Sequence, residues 1–234
     1  MAATFADLVS DPHNHVVRDF SIDSPALLIL FGGIAGGVSM PVFEFFRMTE
    51  GYPTKRLFLR DPRQAWYQRG IPGVGDNEAA IAEMLLQRIK ESGATRVVMA
   101  GASAGGFAAM RFGPQCGADV VIAFSPQAFI GASARAAAGD ERWPEQIAAL
   151  HAVIGAESPG YQVRELLEGV AEFGMETQVH FSAGDALDTR HAEALSGVSG
   201  VTLTAHPGDD HKLVKQLRNQ GMLAPMVLGA LHVD

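Results

Sequence analysis

RVVMAGASAGGFAAMRFG, residues 96–113, decides the fold. An apolar run, RVVMA, stops at GASAG, and a run able to enter a helix, GFAAMRF, follows. The order is strand, sharp turn, helix. Small residues flank Ser103 because so tight a turn brings backbone segments into contact. It lifts the hydroxyl to the carboxyl end of a sheet and sets it at a helix start, where N–H groups meet developing negative charge. Ser103 is the candidate nucleophile, and Ala104 N–H is the candidate first oxyanion donor. The short GxSxG pattern also arises by chance, so its strand–turn–helix setting carries the reading.

Working outward, ALLILFGG at 26–33 reads as a buried strand ending in a turn. Gly33 or Ile34 is the candidate second oxyanion donor, with a plain turn as the alternative role. Further strands are expected at 55–60, 119–124, 176–182 and 201–206. Between them, Ile81, Leu85 and Ile89 recur at helical spacing behind a cap at Asp76 or Asn77. Ser158 and Pro159 predict a helix start over 158–173, with Val163, Leu166, Leu167 and Val170 as its apolar stripe. Another helix is expected over 211–220. IGASARAAAGDERWPEQI, at 130–147, predicts a mobile loop and short helix, either a small cap around 126–157 or a surface connection. Alternating strands and helices give an α/β class with a mostly parallel sheet flanked by helices. With the serine turn, this is the α/β-hydrolase fold, expected as a single domain over residues 1–234.

The 234 residues carry a net charge of -8, from 18 Lys plus Arg against 26 Asp plus Glu. That balance argues against broad binding to nucleic acid or an anionic membrane. The basic-aromatic stretch at 56–70 is too short to change this. A single cysteine excludes an internal disulfide and a Cys-rich metal site. The apolar runs are strand-sized and no signal-peptide pattern opens the chain, so a cytoplasmic protein without a transmembrane segment is expected. Homo-oligomerisation is left open.

A serine hydroxyl needs a base at neutral pH, and this fold runs in chain order serine, acid, histidine. VTLTAHPGDDHKLVKQL, at 201–217, offers two histidines. His206 closes a strand. His211 follows the turn PGDD on a loop at the proper sheet end and is the candidate base. HFSAGDALDTRHAEAL, at 180–195, places Asp185 and Asp188 after a strand. Either carboxylate meets the spacing for orienting His211, and either suits a helix cap. Asp209 and Asp210 lie too close to His211 in sequence. His13 and His15 lack a well-spaced third metal ligand. His180 is expected to pack in its strand, and His151, His191 and His232 carry no assignment.

Several blocks together are similar to a known group: ALLILFGG, LRDPRQAWYQRGIPGVG (59–75), GASAGGFAAMRFG, FSPQ (124–127), DTRHAEAL and GDDHKLVKQLRNQGML (208–223). From about Ser24 to Leu223 the chain resembles a bacterial α/β-hydrolase-like family associated with polysaccharide biosynthesis and with domains fused to glycan-processing proteins. The resemblance implies Ser103, Asp188 and His211 as a triad, which favours Asp188 over the alternative acid Asp185. It also implies that AWYQRG lies near the site, with Trp66, Tyr67 and Arg69 as candidate pocket residues. The alternative for the aromatics is to pin a long loop by packing. The expected activity is serine-hydrolase chemistry, esterase or acyl transfer, on a small-molecule or glycan-linked acyl substrate. It requires neither metal nor organic cofactor. An amidase or peptidase would use the same residues. A non-catalytic glycan assembly or export accessory is the rival of another class.

Overall fold

The computed structural model describes residues 5–34, 43, 45–170 and 173–231. Its sheet contains β1 (Val16–Asp19), β2 (Ala26–Phe31), β3 (Lys55–Leu59), β4 (Arg96–Ala102), β5 (Val120–Phe124), β6 (Glu176–Ser182) and β7 (Val201–His206). Their spatial order is β1-β3-β2-β4-β5-β6-β7. β1 runs antiparallel to β3, and the other pairings are parallel.

Strands covered on both faces need apolar residues at successive positions, which is why ALLILF and VVIAF lack alternation. Leu27, Ile29, Phe31, Met99 and Val121 feed one core, while Leu28, Leu30, Phe58, Val98 and Ile122 feed the other. The first is covered by α2 (Glu78–Ser92), α3 (Ala104–Cys116), α5 (Pro144–Ile154), α6 (Arg164–Glu168) and α7 (Ala186–Glu193). The second is covered by α1 (Phe5–Ser10), α8 (Leu213–Asn219) and α9 (Leu223–Leu231). No helix among the described residues is long and apolar enough to cross a membrane.

Asn77 is the α2 cap, accepting Ala80 N–H at 3.0 Å. The 130–147 segment carries α4 (Ala132–Ala138) and the start of α5. The helix expected over 158–173 is instead a 3-10 turn, Pro159–Tyr161, followed by α6. Ser158 and Pro159 do start it, but the backbone at 161–163 is drawn into hydrogen bonds with the 128–130 loop: Ile130 N–H to Tyr161 O at 2.9 Å, and Val163 N–H to Ala128 O at 3.1 Å. These tertiary bonds override the local helical pattern. Residues 171, 172 and His232 lie outside the described residues. β1 and α9 were not expected from sequence. β1 has four residues, too few for periodicity to register.

At the junction of β4 with α3 the backbones approach closely. A Cβ on Gly101 would stand 2.3 Å from the Gly105 carbonyl, and one on Gly105 would stand 2.2 Å from Phe31 O. Both obstacles are backbone, so the contact cannot relax by rotating a side chain. Gly105→Ala is expected to cost about 3 kcal/mol or more, at the upper end for overpacking. Urea melts check this, and an unchanged midpoint would show that the helix can move away from β2.

Between β6 and β7, His180 Nδ1 lies 3.1 Å from His206 Nε2, and the His180 ring stacks on Phe124. Burial, then the charge of His206, hold the His180 pKa at about 4 against the ordinary 6.5. A folded-state pKa below the unfolded value means that protonation favours unfolding. The full stability is present above pH 6.5 and is lost as pH falls towards 4, by roughly 3 kcal/mol over that window. His180→Phe should flatten the pH dependence of the urea midpoint between those limits. An equally steep dependence in the variant would assign it elsewhere.

Candidate active site

Ser103 stands between β4 and α3 with φ 53° and ψ -118°. An L-residue holds such a conformation only where its surroundings over-determine it. Here Ser103 N–H donates to Phe124 O at 2.9 Å, and Ser103 O accepts Phe107 N–H at 3.0 Å. One bond ties the serine to β5 and the other starts the helix. Its side chain is thereby left at the carboxyl edge of the sheet.

Three of the sequence-predicted residues meet there. Ser103 Oγ is 2.9 Å from His211 Nε2, and His211 Nδ1 is 2.7 Å from Asp188 Oδ1. The ionised carboxylate only accepts, so Nδ1 carries the proton and Nε2 is free to accept from Ser103. Asp188 is buried at the first turn of α7. Burial pushes its pKa upward. His211 foremost, with Ser125 and Arg142, outweighs burial and leaves it below the ordinary value. Asp188 Oδ2 and the Ser125 hydroxyl beside it are both buried without a hydrogen bond of good geometry.

Asp185 does something else. It is the N-cap of α7, where its Oδ1 accepts Leu187 N–H and Asp188 N–H, each at 2.9 Å. It therefore sets the helix that carries Asp188. His206 pairs instead with His180.

Ala104 is the first residue of α3, so its N–H has no acceptor within the helix. The Gly105 contact with Phe31 O and the Gly32 carbonyl carbon lays the β2 exit beside this helix start. The Tyr67 hydroxyl donates to Gly32 O at 3.0 Å and to Leu59 O at 3.2 Å. In a trans peptide the N–H opposes the C=O, so the grip on Gly32 O turns Gly33 N–H away from Tyr67.

Trp66 and Tyr67 are fully buried. They present no open face to a ligand and pack as the loop-pinning alternative expects. Both have positive φ, as does Gln64. Asp61 holds this backbone, accepting Arg63 N–H at 2.9 Å, Ala65 N–H at 2.7 Å and Tyr67 N–H at 2.9 Å. Arg69 lines a separate surface depression with Arg63, Gln68, Asp76 and Glu78.

Sequence reasoning missed three contributors. Arg142, before α5, donates from Nη1 to Asp188 Oδ1 at 3.0 Å and lies 3.3 Å from His211 Nδ1. Its Nε and Nη2 donate to the two oxygens of buried Asp140 at 3.0 and 3.2 Å. Asp140 also takes Arg135 at 3.1 Å and His191 Nε2 at 3.0 Å, while His191 Nδ1 accepts Ala128 N–H at 3.1 Å. Burial costs Asp140 some of its acidity, but His191 and Arg142 return more, so its pKa lies well below the usual range. The third is Gln127, fully buried in FSPQ, whose amide touches Ser103 Oγ. The available signal for Arg142 and Asp140 was GDER, a charged cluster interrupting an alanine-rich run. For Gln127 it was a polar residue just past the end of an apolar strand.

No group of three or more His, Cys, Asp or Glu suited to a metal occurs among the described residues. No protein-family model matches the sequence, and no curated protein sequence does. Solved structures do match in shape. A capsule O-acetyltransferase of Neisseria meningitidis serogroup A aligns with a TM-score of 0.67 at 12% identity, over 92% of this chain and 90% of that one. The glycosylation-associated Gap123 complex of Streptococcus agalactiae gives 0.64 at 17% identity, over 92% of this chain and 44% of that one. A fluorophosphonate-binding serine hydrolase of Staphylococcus aureus gives 0.61 at 14% identity, over 88% and 84%. Together with the parallel sheet and its flanking helices, these likenesses show that the chain has an α/β-hydrolase fold.

Proposed function

We propose that this chain is a serine hydrolase that cleaves or transfers an acyl group through a Ser103 acyl-enzyme. The observation that carries the reading is the unbroken hydrogen-bonded line from Asp188 through His211 to Ser103. His211 Nε2 takes the Ser103 proton as Oγ bonds to the acyl carbon. Asp188 keeps the proton on Nδ1 and stabilises the imidazolium. Ala104 N–H, with Gly33 or Ile34 N–H, receives the oxyanion. The C–O bond to the departing alcohol breaks, and His211 returns the proton to that oxygen. Water or a second hydroxyl then gives His211 a proton and attacks the acyl carbon, which frees Ser103. Likeness in fold to a capsule O-acetyltransferase supports a sugar hydroxyl as the acceptor and a glycan-linked ester as the substrate.

A serine-reactive fluorophosphonate tests the reading. Intact-mass spectrometry should find one adduct on the native chain and none on folded Ser103→Ala. Labelling of that variant at the same stoichiometry would reject Ser103 as the reactive group.

The two aspartates separate by their partners. Asp188→Asn cannot accept a proton-bearing Nδ1 in the same way. Ester turnover should fall by about ten-thousandfold, the scale of losing the orienting carboxylate from a Ser-His-Asp triad. Asp185→Asn keeps a capping oxygen, and Asn caps about as well as Asp. Its turnover should stay within about threefold of native, a change of under 1 kcal/mol in barrier. Turnover is measured after urea melts show both variants folded. A severe loss confined to Asp185→Asn would reverse the assignment.

A further inference from the structure

Gln127 Nε2 stands 3.1 Å from Ser103 Oγ, and Gln127 Oε1 stands 3.3 Å from the same atom. Both amide atoms thus reach the one oxygen on which the proposed chemistry turns. Which atom faces which way is decided by Trp66, whose Nε1 lies 3.1 Å from Gln127 Oε1. Indole N–H is only a donor, so the amide oxygen must face it and the amide nitrogen is committed to Ser103. Gln127 and Trp66 are fully buried. The bond between Trp66 and Gln127 is therefore closed to water, and leaving it unmade costs the desolvation of its partners, while the Gln127–Ser103 bond is part-buried.

The hydrogen-bond inventory of Ser103 then closes in both protonation states of His211. With His211 neutral, Ser103 O–H donates to Nε2, and the Oγ lone pair accepts from Gln127 Nε2–H. With His211 protonated, Nε2–H donates to Oγ, and the serine hydrogen turns to Gln127 Oε1. One amide, held by one indole, serves both states without moving.

We propose that Gln127 is a catalytic residue, oriented by Trp66, whose amide N–H holds and stabilises Ser103 Oγ through both halves of the reaction. This rests on Ser103 being the nucleophile. In acylation the Oγ proton passes to His211 Nε2 while Oγ bonds to the acyl carbon, and the Gln127 bond keeps Oγ aimed. In deacylation the attacking oxygen bonds to the acyl carbon and its proton passes to His211. The C–Oγ bond then breaks, Oγ leaves with the electron pair, and His211 returns the proton to it. Charge builds on Oγ as that bond breaks, which is where an already aimed donor acts most.

The test compares Gln127→Glu with Gln127→Met and Trp66→Phe by rate of fluorophosphonate labelling, with urea melts as the folding control. All variants are compared in the same mildly alkaline buffer. The carboxylate has nearly the native shape but only accepts. It loses the donor and also draws the serine proton from His211, and labelling should slow by about 100-fold, the scale of two hydrogen bonds at roughly 1.4 kcal/mol each. Gln127→Met removes the donor without adding a competing acceptor and should slow labelling about 10-fold, in keeping with roughly 1.4 kcal/mol for one hydrogen bond. Trp66→Phe frees the amide to flip and should fall near the methionine variant, with no further loss when the two are combined. An ester substrate should show a larger burst of the first product in Gln127→Met, because deacylation slows more than acylation. Equal losses in the glutamate and methionine variants, which packing alone would give, overturn the proposal. So do native rates in both. Wild-type protein that takes no label at Ser103 overturns the nucleophile assignment along with it.

Discussion

The backbone contact between Gly101 and Gly105 sets the geometry on which the rest of the site depends. With a Cβ at either position the α3 start would be forced off the sheet. Without one, the helix begins immediately after the strand and Ser103 is compressed into a positive-φ corner. The strain of that corner, on the order of 1–3 kcal/mol, persists because β5 and the first helical turn each hold one of its peptide groups. The same closeness brings the β2 exit against the α3 start, so Ser103 and the candidate oxyanion donors at Ala104 and Gly33 share one close-packed junction.

The second constraint is electrostatic. Asp140 and Asp188 are both buried, and neither could stay ionised beside an apolar core without a cation. Arg142 is shared between them through separate nitrogens. A buried ion pair is weak evidence of stabilisation, because the desolvation cost is comparable with the attraction. Its geometric effect is firmer. The Arg142 guanidinium is planar, so fixing two nitrogens on Asp140 fixes the direction of the third donor towards Asp188. The 131–154 segment is thereby tied to the same oxygen that receives His211. Movement of that segment would alter both the position of the acid and the positive charge near the imidazole.

Much of this arrangement was legible in the sequence. The strands β2, β4 and β5 announce themselves because parallel strands buried on both faces are nearly unbroken apolar runs, whereas β6 and β7 carry polar residues and are partly exposed. The turn at Ser103 is legible because only small residues tolerate its contacts. His211 could be read from chain order and from the turn before it. Asp185 and Asp188 could not be separated by spacing, since both follow β6 and a helix start uses the same residue types as a catalytic loop. Their division depends on which carboxylate faces the α7 amides, a matter of side-chain direction. Arg142, Asp140 and Gln127 were illegible for a related reason. Each matters through a partner 24 to 51 residues away, and no local periodicity records such a pairing. The lost helix over 158–173 belongs here too, because its backbone hydrogen bonds were claimed by a loop some thirty residues earlier.

The AWYQRG tract shows how local strain and site geometry are joined. Successive residues in an extended strand point to opposite faces, whereas successive residues in a helix lie about 100° apart. Trp66 and Tyr67 are both left-handed, which gives a turn that neither pattern provides. Its cost is offset by Asp61, whose carboxylate collects three amide hydrogens from the turn. Burial pushes the Asp61 pKa above its ordinary value despite those bonds. The gain is divergence. The Trp66 indole reaches Gln127 and through it the nucleophile oxygen, while the Tyr67 hydroxyl reaches the Gly32 carbonyl on the β2 side. Two neighbouring side chains thus support opposite halves of the site from beneath. The buried pair of this loop therefore bears on the Ser103 site indirectly, by fixing the rotation of an amide and the plane of a peptide.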